Sequence, residues 1–177
     1  GGEDDVSGGG AYTHMTILAE NNQGLANLFR LSSLASLEGY YYKPRMDREL
    51  LATYSQGLIA TTGCPGGEIQ TRLRMGAYKE AIKAASAYQD IFGKENFYLE
   101  LMDHGIEIET RVKADLLKLG KELAMPLLAT NDLHYTRQED AAAHEALLCV
   151  QSGSTLADPK RFKFDNDTFY VKTAAQM

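Results

Sequence analysis

Four short apolar runs, separated by stretches of helical periodicity, constrain the fold of this chain more than any other feature. Residues 12–19 have the β-branched and aromatic content of a strand. Residues 57–62, 96–101 and 125–129 are short and largely apolar, and 57–62 and 125–129 read as strands covered on both faces. Between the first two, Asn21 or Asn22 caps a helix in which Leu25, Leu28, Phe29, Leu31 and Leu34 recur at helical spacing. A loop over 40–44 follows, and Asp47 caps a short helix carrying Leu50 and Leu51. Residues 68–92 are helical with a break at Gly76, 106–123 form an amphipathic helix with Ile108, Val112, Leu116, Leu119 and Leu123 on one face, and 141–150 form another. Residues 161–172 alternate aromatic and charged side chains like a short hairpin. Strands alternating with helices predict an α/β fold: a parallel sheet or barrel of βα units with right-handed crossovers.

Composition narrows the class. At 177 residues the chain makes one domain with a proper core, or a piece of a larger protein. Its 44% hydrophobic and 24% charged content matches an ordinary soluble globular protein. No apolar run approaches the roughly 20 residues of a membrane span, and no membrane partner is expected. Residues 1–10 are polar and acidic, unlike a secretory signal, and read as a flexible Gly-rich surface loop at which the sequence has been cut, without an initiator Met. Cys64 and Cys149 lie far apart with no CxxC pairing, so a disulfide framework is not expected and a reducing cytoplasm is the default. The net charge of −6 argues against a nucleic-acid platform in its own right. A metal site accepting one strand end works within such a surface.

Polar residues collect after the strands. Thr130-Asn131-Asp132 ends the fourth, and His134 follows two residues later. Asp-x-His at the C-terminal end of a buried strand sets carboxylate and imidazole where α/β folds hold ligands, and the pair suits zinc or manganese. The alternative is that Asp132 caps the helix starting near Arg137 while His134 packs in a loop. Cys64 follows the second strand in Gly63-Cys-Pro-Gly-Gly67, as a thiolate ligand or as a small buried hydrophobe. His14 is expected inside the first strand, on the face of Thr16 and Leu18, as a core histidine or as a ligand. Asp103 and His104 start the following helix and stay outside the candidate set; His144 and Cys149 read as structural. A Cys64–His134 nucleophilic pair competes, but the spacing reveals neither its base nor its oxyanion hole. The glycine-rich 63–67 turn lacks the Lys-Ser/Thr ending of a phosphate-binding loop.

These stretches carry a resemblance. His14-Met-Thr-Ile-Leu-Ala-Glu-Asn, Thr62-Gly-Cys-Pro-Gly-Gly-Glu, Leu99-Glu-Leu-Met-Asp-His-Gly, Leu128-Ala-Thr-Asn-Asp-Leu-His-Tyr and His144-Glu-Ala-Leu-Leu-Cys-Val-Gln follow the order seen in the bacterial DNA polymerase III alpha subunit family. Arg161-Phe-Lys-Phe-Asp and Phe169-Tyr-Val-Lys fit as well. The resemblance runs from about Tyr12 to Met177. It implies a fragment covering most of the polymerase-and-histidinol-phosphatase (PHP) domain: a distorted β/α barrel, incomplete because the first strands are missing. Residues 1–10 would be a loop, 11–150 the C-terminal part of that domain, and 151–177 the connection toward the polymerase palm.

Carried over position by position, the resemblance makes His14, Cys64, Asp132 and His134 metal ligands, with no catalytic residues separate from them and no organic cofactor site. It implies a DNA-directed DNA polymerase whose PHP domain has metal-dependent 3′–5′ exonuclease (proofreading) activity, with zinc or manganese in that site. Magnesium would serve a polymerase site outside these residues. Implied partners are primer-template DNA, the sliding clamp and other replisome subunits, and the implied location is the cytoplasm. A further His-x-His and other His, Asp and Glu ligands belong upstream of residue 1, and the palm carboxylates downstream of residue 177, so this stretch holds a partial centre and is expected to be inactive alone. The alternatives are a catalytically inactive structural PHP domain and a free-standing phosphoesterase on the same fold.

Overall fold

Asn21 sets the first helix: its side chain accepts the Gly24 N–H at 2.9 Å, starting α1 (Asn22–Leu37) directly after β1 (Ile17–Ala19). The computed structural model of the chain describes residues 12–41 and 43–177. Asp47 caps α2 (Arg48–Thr53) in the same way through the Leu50 N–H at 2.8 Å. Then come β2 (Leu58–Thr61), α3 (Glu68–Arg74), α4 (Tyr78–Phe92), β3 (Phe97–Leu101), α5 (Glu107–Glu122), β4 (Leu127–Ala129), a 3-10 turn at Gln138–Asp140, and α6 (Ala141–Ser152). The α3–α4 break falls at Gly76, as the sequence predicts.

Two compact units result. The first comprises the described residues up to Leu101 together with Arg111–Leu128; the second comprises Met102–Thr110 and Ala129–Met177. The loop expected over residues 1–10 lies outside the described residues.

In the first unit β2 and β3 are the apolar centre, with Leu58, Ala60, Phe97 and Leu99 at 0–1% exposure. Ile69 of α3, Tyr88 of α4 and Leu119 of α5 pack into the same core. Small residues let the layers approach. A Cβ on Gly24 would stand 1.8 Å from the Gly57 carbonyl oxygen, so α1 touches the turn entering β2 through bare backbone. Gly120 of α5 leaves room for Leu99 in the same manner, with 2.9 Å from its virtual Cβ to a Leu99 methyl.

The sheet departs from expectation in two respects. Among the described residues it has four strands in the order β1-β2-β3-β4, an open sheet and not a closed barrel. It is also mixed: β2 and β3 are parallel, but β1 runs antiparallel to β2, pairing Ile17 with Ala60 and Ala19 with Leu58. The connection from β1 to β2 holds two helices, α1 and α2, where a standard parallel crossover needs one, and it returns the chain in the opposite sense. Hydrophobic patterning encodes burial and not strand direction, so it could not reveal this.

The second unit corrects the hairpin expected over 161–172. That stretch forms no ladder; Tyr170 makes a single parallel bridge with Tyr135. Its backbone is satisfied by a side chain instead. The buried Asn131 amide donates to the Thr168 and Tyr170 carbonyls, each at 2.8 Å, and the His134 N–H donates to the Phe169 carbonyl at 2.9 Å. Two of its aromatics turn inward against histidines, Phe169 stacking on His104 at 4.0 Å and Phe164 meeting His134 edge-on at 4.6 Å, while Phe162 stays exposed.

Candidate metal centre

His14 lies before β1 and not within it, which corrects its expected place on a strand face. Its backbone N–H donates to the Gly66 carbonyl at 3.0 Å. The side chain stands against the loop after β2, with Nδ1 3.8 Å from the Cys64 Sγ. The antiparallel pairing causes this meeting. The residue preceding β1 falls beside the residue following β2 only when the two strands run in opposite senses, and a parallel pair would have set them at opposite ends. Gly66 completes the cradle: a Cβ there would come within 3.3 Å of His14 Nδ1 and 3.6 Å of Cys64 Sγ.

The loop under Cys64 is pinned from below. The buried Gln70 amide donates to the Gly63 carbonyl at 2.8 Å and the Thr62 hydroxyl at 3.2 Å, and the Gly63 N–H donates to Thr61 Oγ1 at 3.1 Å. Thr61 in turn donates to the buried Glu100 carboxylate at 2.5 Å. Arg74 Nη1 donates to the Pro65 carbonyl. Burial lowers the Arg74 pKa from its ordinary value, with the charge of Arg111 pulling the same way and the Cys64 sulfur opposing it. One step further on, Glu68 accepts from Arg48 at 2.5 Å, Arg72 at 2.9 Å and the Tyr88 hydroxyl at 2.7 Å, anchoring the start of α3.

Asp132 and His134 belong to the second unit. Asp132 takes a left-handed backbone, φ 44°, unusual outside glycine and tolerated by Asp and Asn. That turn brings its own carbonyl to 2.7 Å from His134 Nδ1, while its carboxylate stands 4.0 Å from the same nitrogen. A carbonyl only accepts, so Nδ1 carries the hydrogen and Nε2 is the nitrogen left to coordinate, the arrangement by which backbone carbonyls orient metal-binding histidines. Asp132 is not a helix cap: the Arg137 N–H is taken by Asp140 Oδ2 at 2.9 Å. His104 is buried with both ring nitrogens engaged, Nδ1 by Glu109 at 2.6 Å and Nε2 by the Asn131 carbonyl at 3.0 Å, so neither nitrogen is left for an ion.

The donor types and one spacing suit a metal. A tetrahedral zinc bound at about 2.3 Å from sulfur and 2.0–2.1 Å from nitrogen separates those two donors by about 3.6 Å, close to the 3.8 Å between Cys64 and His14. Each unit offers two donors. Among the described residues no three His, Cys, Asp or Glu side chains gather closely enough to hold an ion.

Of two further neighbours, the sequence reading missed Arg74 and gave His144 a structural role only. Arg74 follows Cys64 by ten residues on α3, and no local pattern marks it. His144 of α6 lies 5.6 Å from His134 ring to ring, with Phe164 edge-on to both. Burial, then the nearby His134, lowers the His144 pKa, with Glu145 opposing. Its sequence context of Leu147 and Leu148 suggests packing only.

Known proteins match this sequence over nearly its whole length. Residues 2–104 match the model of the PHP domain. The DNA polymerase III subunit alpha of Saccharopolyspora erythraea is 64% identical over 173 residues, covering 98% of this chain and 14% of the relative. Proteins of the same name from Mycobacterium tuberculosis and Mycobacterium leprae are 58% identical over 175 residues, covering 98% of this chain and 15% of each. The chain thus spans only 14–15% of the length of the relatives it matches. With its mixed sheet, its Gly-Cys-Pro loop after β2 and more than half its length matched by the domain model, this chain belongs to the PHP domain family.

Proposed function

We propose that this chain is part of a replicative DNA-directed DNA polymerase, and that its PHP domain carries a metal-dependent 3′–5′ exonuclease that removes mispaired primer ends. The polymerase half of this reading is supported by the relatives named DNA polymerase III subunit alpha. The exonuclease half is carried by one observation, the 3.8 Å approach of Cys64 Sγ to His14 Nδ1 across fifty residues of sequence. His14 and Cys64 of the first unit, and Asp132 and His134 of the second, serve as metal ligands. Residues 11–150 belong to that domain and 151–177 lead toward the palm. Zinc or manganese suits the thiolate, imidazole and carboxylate set, and magnesium serves the polymerase site elsewhere.

When bound, such ions activate water and neutralise a phosphodiester. The chain's own residues orient the ligands: Gly66 fixes the His14 backbone, and the Asp132 carbonyl fixes the His134 tautomer. Primer-template DNA, the sliding clamp and other replisome subunits are the partners of the whole protein, in the cytoplasm. No described helix is long and apolar enough to cross a membrane.

The test is mismatch removal by the full-length polymerase carrying both Asp132→Asn and His134→Ala. Loss of trimming is expected; undiminished proofreading overturns the assignment. The second reading is a PHP domain that only supports the polymerase. Metal analysis of the full-length protein separates the two, because a scaffold carries well under one ion per chain.

A further inference from the structure

His134 stands on an open turn of the second unit. Its side chain keeps 35% of its surface in solvent, and Leu133 beside it is exposed. The bond between Nδ1 and the Asp132 carbonyl sets the ring against its own turn, but it leaves turn and ring free to swing together. Contacts from further along the chain hold them in place.

The first of these are backbone bonds. The His134 N–H donates to the Phe169 carbonyl at 2.9 Å, the Phe169 N–H to the Tyr135 hydroxyl at 3.3 Å, and the Val171 N–H to the Thr136 carbonyl at 3.2 Å. With the Asn131 amide on the Thr168 and Tyr170 carbonyls, residues 168–171 are laced along 131–136. At the other end of the segment Arg161 donates to Glu145 of α6 at 3.1 Å and to the Leu156 carbonyl at 3.3 Å.

Phe164 lies between these two anchors. Its ring stands nearly perpendicular to the His134 ring, at 4.6 Å and 76°, and to the His144 ring, at 4.9 Å and 77°. The two imidazoles are 5.6 Å apart, so the phenyl ring closes a triangle with the candidate ligand at one corner. Phe169 backs the phenyl ring at 4.7 Å and 72°, and is itself buried against His104. Perpendicular ring contacts are favoured by the opposed charge of ring edge and ring face, so they select an angle; an aliphatic side chain of similar bulk covers the imidazole without doing so. Core packing does not account for the placement, because Phe164 is half-buried and His134 exposed.

We propose that Phe164 is a positioning residue for His134, holding the imidazole in the orientation that presents Nε2, and that 161–171 is the strap that carries it. The consequence for a metal rests on the ligand reading of His134, while the hold on the ring does not.

The test uses the full-length polymerase, with zinc as the probe. Phe164→Leu keeps apolar bulk and loses the ring; it should raise the half-saturating zinc concentration about tenfold, the scale of losing a partner that orients a ligand. In metal-free protein the same variant should speed carbethoxylation of His134 by diethyl pyrocarbonate severalfold, read peptide by peptide in the mass spectrometer. Phe164→Tyr, which keeps the ring, should restore both values. Phe162→Leu removes an exposed ring 5.9 Å from Phe164 on the same segment and should move neither. A Tyr variant as impaired as the Leu variant overturns the positioning role. His134→Ala separates the two claims. If it weakens zinc binding and Phe164→Leu does not, the ligand reading stands and the positioning role falls. If it leaves zinc binding unchanged, the ligand reading falls; the positioning role then stands when Phe164→Leu speeds the labelling of His134 and falls when it does not.

Discussion

Cys64 Sγ and His14 Nδ1 lie 3.8 Å apart because β1 runs antiparallel to β2. The pairing sets the loop entering one strand against the loop leaving the other, and the His14–Gly66 backbone hydrogen bond closes the gap between them. Neither residue needs its partner for burial, since His14 is exposed and Cys64 half-buried. The contact has the character of a donor pair and not of core packing.

If the pair binds metal, its removal shows in metal content. Cys64→Ser and His14→Ala in the full-length polymerase should each weaken metal binding by at least about 100-fold, beyond the range seen when only outer-shell partners are lost. Metal-to-protein ratio after dialysis against a weak chelator is the measurement.

Gly66 supports that pair without donating to a metal. A methyl group at Gly66 would stand 3.3 Å from His14 Nδ1 and 3.6 Å from Cys64 Sγ. Gly66→Ala should leave the melting temperature nearly unchanged and lower metal affinity about tenfold, by displacing one donor from its geometry. A titration with zinc alongside a thermal melt reads both effects.

Gly24 is a packing position. Its replacement by Ala drives a methyl into the Gly57 carbonyl, 1.8 Å from the ideal Cβ, and neither partner is a flexible side chain. Gly24→Ala should destabilise the chain by about 1–3 kcal/mol, the range of overpacked sites, as measured by denaturant unfolding.

The Glu68 cluster makes stability depend on pH at both extremes. Burial alone would raise the Glu68 pKa, but hydrogen bonds from Tyr88 and Arg72 and the charge of Arg48 hold it below its ordinary 4.5. A depressed carboxylate stabilises the fold above its unfolded value, and that stability is lost as pH falls below about 4.5 and through the folded pKa. Tyr88 behaves oppositely. Burial, then the Glu68 charge, pushes it up to about 12 from 10.0, so its contribution is whole below pH 10 and disappears as pH rises toward 12. The alkaline loss is on the order of 2 kcal/mol. Unfolding midpoints of wild type and Tyr88→Phe across this window check it: the Phe variant starts weaker at neutral pH and shows a shallower alkaline decline.

Asn131 holds the second unit's aromatic stretch through its amide hydrogens. Asn131→Asp replaces a donor to two carbonyls with an acceptor facing them and should cost about 2–3 kcal/mol. Protease cleavage after the basic residues of 160–172 should accelerate in the variant, while cleavage in the first unit stays at the wild-type rate.

Much of the framework was legible in the sequence because it rests on local chemistry. Asn21 and Asp47 cap the helices they precede, Gly76 marks the α3–α4 break, and the runs 57–62, 96–101 and 125–129 contain β2, β3 and β4, since caps and short apolar runs act within a few residues. The order of motifs from Tyr12 onward also sufficed to point to the PHP family. Strand direction, the open sheet and the fate of 161–172 were not legible. An alternating pattern looks the same whether its backbone pairs in a hairpin or is satisfied by a distant amide such as Asn131. The candidate centre divides along the same line. The residue types and the Asp-x-His spacing were visible from the start, but the approach of His14 to Cys64 was decided by a non-local pairing fifty residues wide. Likewise only the folded loop between α1 and α2 sets Lys43 and Arg45 against the Tyr12 ring.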